Sequence, residues 1–311
     1  MTHEFGIYEQ VLPMGWIGDR PADYGVAGQV GANTPSLWQR VVVDRKLVCG
    51  VNVTMQQRGF TVYNVRGWPP GMPNYGGGWY RTVGQAAAAE LPALVQRLRL
   101  VNAHIALLHC AAMHHDNQSP PVLRVRSSDL YRYEPSEDGT DGWWVGQGRS
   151  EPSLIGPADG MRINDALPLA VAEAALDWLD VVVARDALVD FARLNQGQDA
   201  LGTQDFSTAL DALWQICESR LHKLAAEHHL NVRARAAVSE VMRKLDQRVL
   251  LPAGVKDRLD QVREERNALL HQGAEPSAET AHECLSLATE LLKTVVPDLA
   301  TRAPKHMFLL Q

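Results

Sequence analysis

From residue 165 to residue 296, apolar side chains return every three or four positions, and this period constrains the fold more than any other feature. Such a stretch can bury a single face only as a helix. Helices joined by short polar breaks then bury their faces against one another as a bundle. Five helices are predicted. The first covers about 165–194, with Asp165 as its cap and Pro168 in its first turn. The second covers 205–229, with Phe206, Leu210, Leu213, Cys217, Leu221 and Leu224 on one face. The others cover 232–250, 255–272 and 277–296.

The first half of the chain is patterned differently. Residues 1–83 are rich in glycine, aromatic residues and β-branched runs. Strands are predicted over 39–43 and 47–53, separated by Asp44-Arg45-Lys46, and over 60–65. Residues 67–78 alternate proline and glycine too densely for regular structure. A helix is predicted over 85–115, with Leu91, Leu94, Val95, Leu98, Val101, Ile105 and Leu108 forming one buried face. Residues 122–133 read as an exposed strand, 134–142 as an acidic turn and Trp143-Trp144-Val145 as the returning strand. Residues 150–160 have the Pro, Gly and Ser content of a linker. The expected fold class is an α+β N-terminal domain over 1–150, a linker over 151–164, an all-α helical bundle over 165–300 and a tail over 301–311.

Composition narrows the function. The net charge of −6 argues against a broad basic surface for nucleic acid, though not against a small local one. Cys49, Cys110, Cys217 and Cys284 lie far apart without a CxxC pair, as expected for reduced thiols in a cytoplasmic protein. The N-terminus lacks the basic and apolar regions of a secretory signal. No apolar run approaches the roughly 20 residues of a membrane span. The best stretch, 178–184, is short and contains Asp180. A soluble protein with no membrane partner is expected.

Chemistry concentrates in the predicted helix 255–272. Val255, Leu259, Val262, Leu269 and Leu270 form an apolar stripe, and Arg266 falls on it, about 40° from Val262. A guanidinium on a burying face is costly unless an anion meets it, either a structural carboxylate or a phosphate. Asn267 and His271 stand four apart on a different face, so their side chains are neighbours. His271 lies in the last turn, where the helix dipole favours imidazolium, and Gly273 suits the residue that ends the helix. A titrating imidazole near an arginine is a candidate phosphodiester site.

The sequence Arg266-Asn267-Ala268-Leu269-Leu270-His271, an Arg-Asn-x-x-x-His motif on the penultimate helix of a C-terminal bundle, resembles the HEPN superfamily. The continuation Gln272-Gly273 is similar to HEPN proteins of toxin and phage-defence systems, with Gln272 intervening before the glycine. The resemblance covers roughly residues 165–296, whereas residues 1–150 resemble no family. It implies a HEPN-like bundle that dimerises and cleaves RNA without a metal or other cofactor. It also implies the catalytic roles: Arg266 binds the scissile phosphate, His271 serves as general acid or base, and Asn267 orients His271 or the phosphate. Toxin or antiviral activity and control by a regulatory protein partner follow by the same analogy. The alternative is a non-catalytic module that dimerises or binds nucleotides and uses Arg266 only as an ion partner.

Other constellations carry weaker signals. Cys110 and His114 have the spacing of a metal-ligand pair, but His104, His109 and His114 rotate around their helix and no second ligand cluster is evident. Gly25, Gly28 and Gly31 lack the spacing of a dinucleotide loop, and no P-loop occurs. His222, His228 and His229 are expected to face water. Trp68, Trp79, Trp143 and Trp144 are expected to pack rather than to stack on bases. Arg124, Arg126 and Arg132 share one parity, as on a solvated strand face.

Overall fold

Alternation in the first half builds a four-stranded antiparallel sheet. The computed structural model describes residues 6–10, 16–18, 41–57, 60–65, 68–70, 91–114, 132–135, 142–145, 166–233 and 236–301. Strands β1 (Gly6–Gln10), β3 (Val41–Lys46), β4 (Asn52–Gln56) and β5 (Phe60–Asn64) pair in the order β1-β5-β4-β3. A short strand β2 (Trp16–Ile17) instead pairs in parallel with β8 (Ala166–Leu167), joining the start of the chain to the entrance of the helical half. Strands β6 (Arg132–Pro135) and β7 (Gly142–Val145) pair antiparallel, with Tyr133 opposite Trp144; β6 takes in Glu134 and Pro135 of the expected turn, and residues 122–131 of the expected strand lie outside the described residues.

The expected break at Asp44-Arg45-Lys46 is corrected, because β3 runs through all three residues. The reversal comes at residues 47–50, where Gly50 has φ 89°, a conformation that favours glycine. The charged triplet stays extended because its groups find partners. Asp44 accepts from the Asn52 amide at 2.6 Å, and Arg45 pairs with Asp177 and Asp180 in the helical half.

Helix α1 (Leu91–His114) corrects the expectation of one buried face. Val95 is exposed, and every residue from 100 to 112 is buried. The helix lies between the sheet, which it meets through Tyr63 and His104, and helices α2 (Leu169–Ala184) and α3 (Leu188–Gly202). A helix covered on all sides must be apolar all round, and the run Ile105-Ala106-Leu107-Leu108 meets that condition. One hydrophobic core therefore runs from Val43 and Val53 of the sheet to Leu292 and Leu299 near the end of the bundle.

The helix expected over 165–194 is two helices. Pro168 precedes α2, and the chain reverses at Asp186, whose φ is 49°, before α3 begins. Asp165 and the expected linker lie outside the described residues. Helix α4 (Phe206–Glu227) starts where expected and is capped by Asp205, whose side chain accepts from the Thr208 N–H at 3.0 Å. Helix α5 (Val238–Gln247) is much shorter than expected, because its buried residues Val241, Met242 and Leu245 begin only there. Helix α6 (Val255–Gln272) has the expected bounds, and α7 (Ala278–Leu292) is capped by Ser277. An α+β half followed by helices is thus the observed class. No helix among the described residues is long and apolar enough to cross a membrane.

Helices α3 and α4 cross closely at Gly197. A Cβ built there would lie 2.5 Å from Leu213 Cγ, inside any tolerable contact. Gly197→Ala should therefore destabilise the protein by about 1–3 kcal/mol, as overpacking does. Chemical denaturation would measure it, and Leu213→Ala in the same chain should recover part of the loss.

Candidate functional site

Helix α6 is held at both ends by glycines in the left-handed region, Gly254 at φ 80° and Gly273 at φ 66°. Gly273 donates its N–H to the Leu269 carbonyl at 3.0 Å, ending the helix directly after His271 and Gln272. Charged clamps fix α6 on α7. Arg258 donates to Glu283 at 2.5 Å, to Glu290 at 3.1 Å and to Ser286 at 3.1 Å. The Glu283 bond is the main reason the guanidinium is held above its ordinary pKa. Glu265 accepts from the Ser277 N–H at 3.3 Å and from Thr280 Oγ1 at 2.5 Å, tying the motif-bearing turn to the cap of α7.

The motif residues divide between two environments. Arg266 turns inward toward α4, its side chain 22% exposed. Its Nη2 lies 4.0 Å from Asp211 Oδ1, too far for a hydrogen bond, and its buried Nε has no acceptor among the described residues. Asp211 is engaged elsewhere, because its Oδ2 accepts from the Gln215 amide at 2.7 Å. Asn267 is half-buried and His271 is exposed. Arg266 and His271 lie about 140° apart around the helix axis, on different faces of α6.

The expected apolar stripe holds at Val255, Leu259 and Val262, which are buried, and fails beyond them. Leu269 is half-buried, and Leu270 is 52% exposed beside the motif. No residue from 263 to 272 is fully buried, and Glu264, Glu265, Leu270, His271 and Gln272 are exposed.

Two contributors escaped the sequence reading. Asp211 and Gln215 sit on α4, and only the packing of α4 on α6 reveals their relation to Arg266. Their spacing of four on a helix was the one signal available. His222, expected in water, is half-buried and lines a cavity with Arg193 and Ser219, whereas His228 and His229 are exposed.

The remaining candidates fall into the core. His104 is fully buried, with Nδ1 hydrogen-bonded to the Tyr63 hydroxyl at 2.5 Å and Nε2 without a partner among the described residues. Burial pushes its pKa down to about 3, leaving a neutral ring. Cys110 is fully buried and its thiol pKa is raised, which disfavours the thiolate a metal requires. His114 packs edge-on against Trp178. Among the described residues no three His, Cys, Asp or Glu side chains group as metal ligands. The cysteines are free thiols, with Cys217 beside Cys284. Trp68 is buried, its carbonyl accepting from Arg97 Nε at 3.0 Å. Arg124, Arg126, Trp79 and the glycines at 25–31 lie outside the described residues, as do the side chains of Arg132, Trp143 and Trp144.

No family model, curated protein or solved structure matches the chain.

Proposed function

We propose that this chain is an endoribonuclease of the HEPN type that cleaves RNA as a dimer through Arg266, Asn267 and His271. The observation that carries the reading is the state of Arg266. Its guanidinium is half-buried, its nearest carboxylate stands 4.0 Å away, and its Nε lacks an acceptor among the described residues. A phosphate oxygen would supply what is missing, and arginine is suited to that role.

RNA carries its own nucleophile, so the chemistry needs no metal. A base removes the 2′-OH proton, O2′ bonds to phosphorus, the bond from phosphorus to O5′ breaks, and an acid returns a proton to O5′. The products are a 2′,3′-cyclic phosphate and a 5′-hydroxyl. Arg266 stabilises the extra charge on the phosphate. His271 is the proton donor or acceptor, with Asn267 one turn away to orient it. Because Arg266 and His271 diverge on one helix, the two roles at one phosphate come from two copies. The exposed Leu270 beside the motif supplies an apolar contact for the pairing. A role in toxin or antiviral systems, with a protein regulator, completes the reading by analogy.

The Asp211 contact favours a second reading, in which Arg266 is a structural ion partner and the bundle only dimerises or binds nucleotides. The two separate on incubation of purified protein with total RNA and tRNA in EDTA. Cleavage leaving 5′-hydroxyl ends, from a protein with the solution mass of a dimer, is expected. Inert protein, or a strict monomer at micromolar concentration, defeats the proposal.

A further inference from the structure

Apart from the motif, the helical half carries an open cleft of about 550 Å³ between α3, α4 and the start of α5. Arg193 enters it from α3, while Gln215, Glu218, Ser219 and His222 enter from α4. Arg193 is half-buried, and neither it, Ser219 nor His222 has a hydrogen bond or ion pair among the described residues. The third wall is the entrance of α5, formed by Ala236, Ala237 and Val238. Ala237 occupies the cap position and no side chain caps this helix. The N-terminus of α5, with Glu240 in its first turn and no capping hydrogen bond, borders the cleft.

The cleft is continuous with the motif. Asp211, Gln215, Ser219 and His222 follow one another at spacings of four, four and three, so they share one face of α4. Asp211 stands beside Arg266, and Gln215 both donates to Asp211 and lines the cleft. Along α4 a polar path of about 16 Å thus leads from Asp211, beside Arg266, to His222.

We propose that this cleft binds the sugar–phosphate backbone of the RNA strand that reaches Arg266, a few nucleotides from the scissile bond. The inference rests on the ribonuclease reading and names how that site holds its substrate. Arg193, His222, Ser219 and the α5 entrance are donors for a phosphate. Glu218 would repel a bare anion but accepts from a ribose hydroxyl, and this pairing of donors with a carboxylate fits RNA better than inorganic phosphate. In a chain of net charge −6, Arg193 and Arg266 would make this a small local contact and not a broad basic surface.

The test uses the full chain carrying His271→Ala, so that RNA survives, and follows anisotropy of an end-labelled single-stranded RNA. Arg193→Glu is expected to raise Kd about tenfold or more and to reduce the dependence of log K on log salt by about one. Arg248→Glu, an exposed change of equal charge outside the cleft, should leave Kd unchanged. Should Arg193→Glu melt abnormally, Ser219→Asp replaces it with the same expectation. Equal Kd for all variants overturns the proposal, as does an equal loss from Arg193→Glu and Arg248→Glu. Binding of AMP or inorganic phosphate that depends on Arg193, without such dependence for RNA, overturns it in favour of a small-molecule site. RNA binding that depends on Arg193 in a protein whose wild type cleaves nothing upholds the cleft and removes the nuclease reading. Cleavage by wild type with Kd indifferent to Arg193 does the reverse.

Discussion

His271→Ala is expected to lower RNA cleavage by about 10²–10⁴-fold, the usual contribution of a positioned general acid or base. The fold should survive the change. His271 is exposed and has no hydrogen bond or ion pair among the described residues, and α6 ends through the Gly273 backbone, not through the imidazole. Loss of a favourable dipole contact costs at most about 1 kcal/mol at such a surface. The measurement is single-turnover cleavage in EDTA beside a thermal melt. Arg266→Ala should also abolish cleavage, but it disturbs a half-buried cation packed on α4 and so separates function from folding less cleanly. Mixing the two inactive variants is the sharper experiment. One chain then keeps Arg266 and the other keeps His271, so a mixed dimer rebuilds one of each around a phosphate. Partial recovery on mixing is expected of a site shared between copies. Full activity in His271→Ala would place the proton transfer elsewhere and remove the proposed role.

The sequence disclosed the helices whose apolar period is long and whose ends are marked. Helix α6 appeared at its expected bounds because Gly254 and Gly273 flank a run without helix breakers. Helix α4 began at Asp205 for the same kind of reason. The failures were tertiary. Nothing local announced that Asp186 would take a positive φ and divide one predicted helix into α2 and α3. Nor did local pattern reveal that α1 would be enclosed by the sheet and by α2 and α3, so that His104 and His109 are buried. Asp44-Arg45-Lys46 looked like a turn because its partners, Asp177 and Asp180, lie far along the chain. At the candidate site, the inward lean of Arg266 was legible from its angle to Val262. The relation of Asp211 and Gln215 to it was not, because helix period places a residue on a face without saying which helix that face meets.

Asp190→Asn should destabilise the bundle by about 3–5 kcal/mol, because it strands a buried cation. Asp190 is fully buried on α3. Its Oδ2 lies 3.2 Å from Lys223 Nζ and 4.0 Å from Arg220 Nη1, both on α4. Arg220 is almost as deeply buried and has one good bond, from Nη2 to Thr294 Oγ1 at 2.9 Å. Its nearest other carboxylate, Glu227, is 3.9 Å away and mostly in solvent. Asp190 Oδ1 and Arg220 Nε have no hydrogen-bond partner among the described residues. Removing this buried negative charge therefore leaves a guanidinium with little to offset its desolvation. The converse follows from the same physics. Asp190→Leu together with Arg220→Met removes both charges and should be nearly neutral, or stabilising, compared with either single change. Denaturant titration of wild type, the two singles and the double would measure the coupling. A cost below about 1 kcal/mol for Asp190→Asn would mean that water reaches Arg220, and that the polar contact between α3 and α4 is not a sealed one.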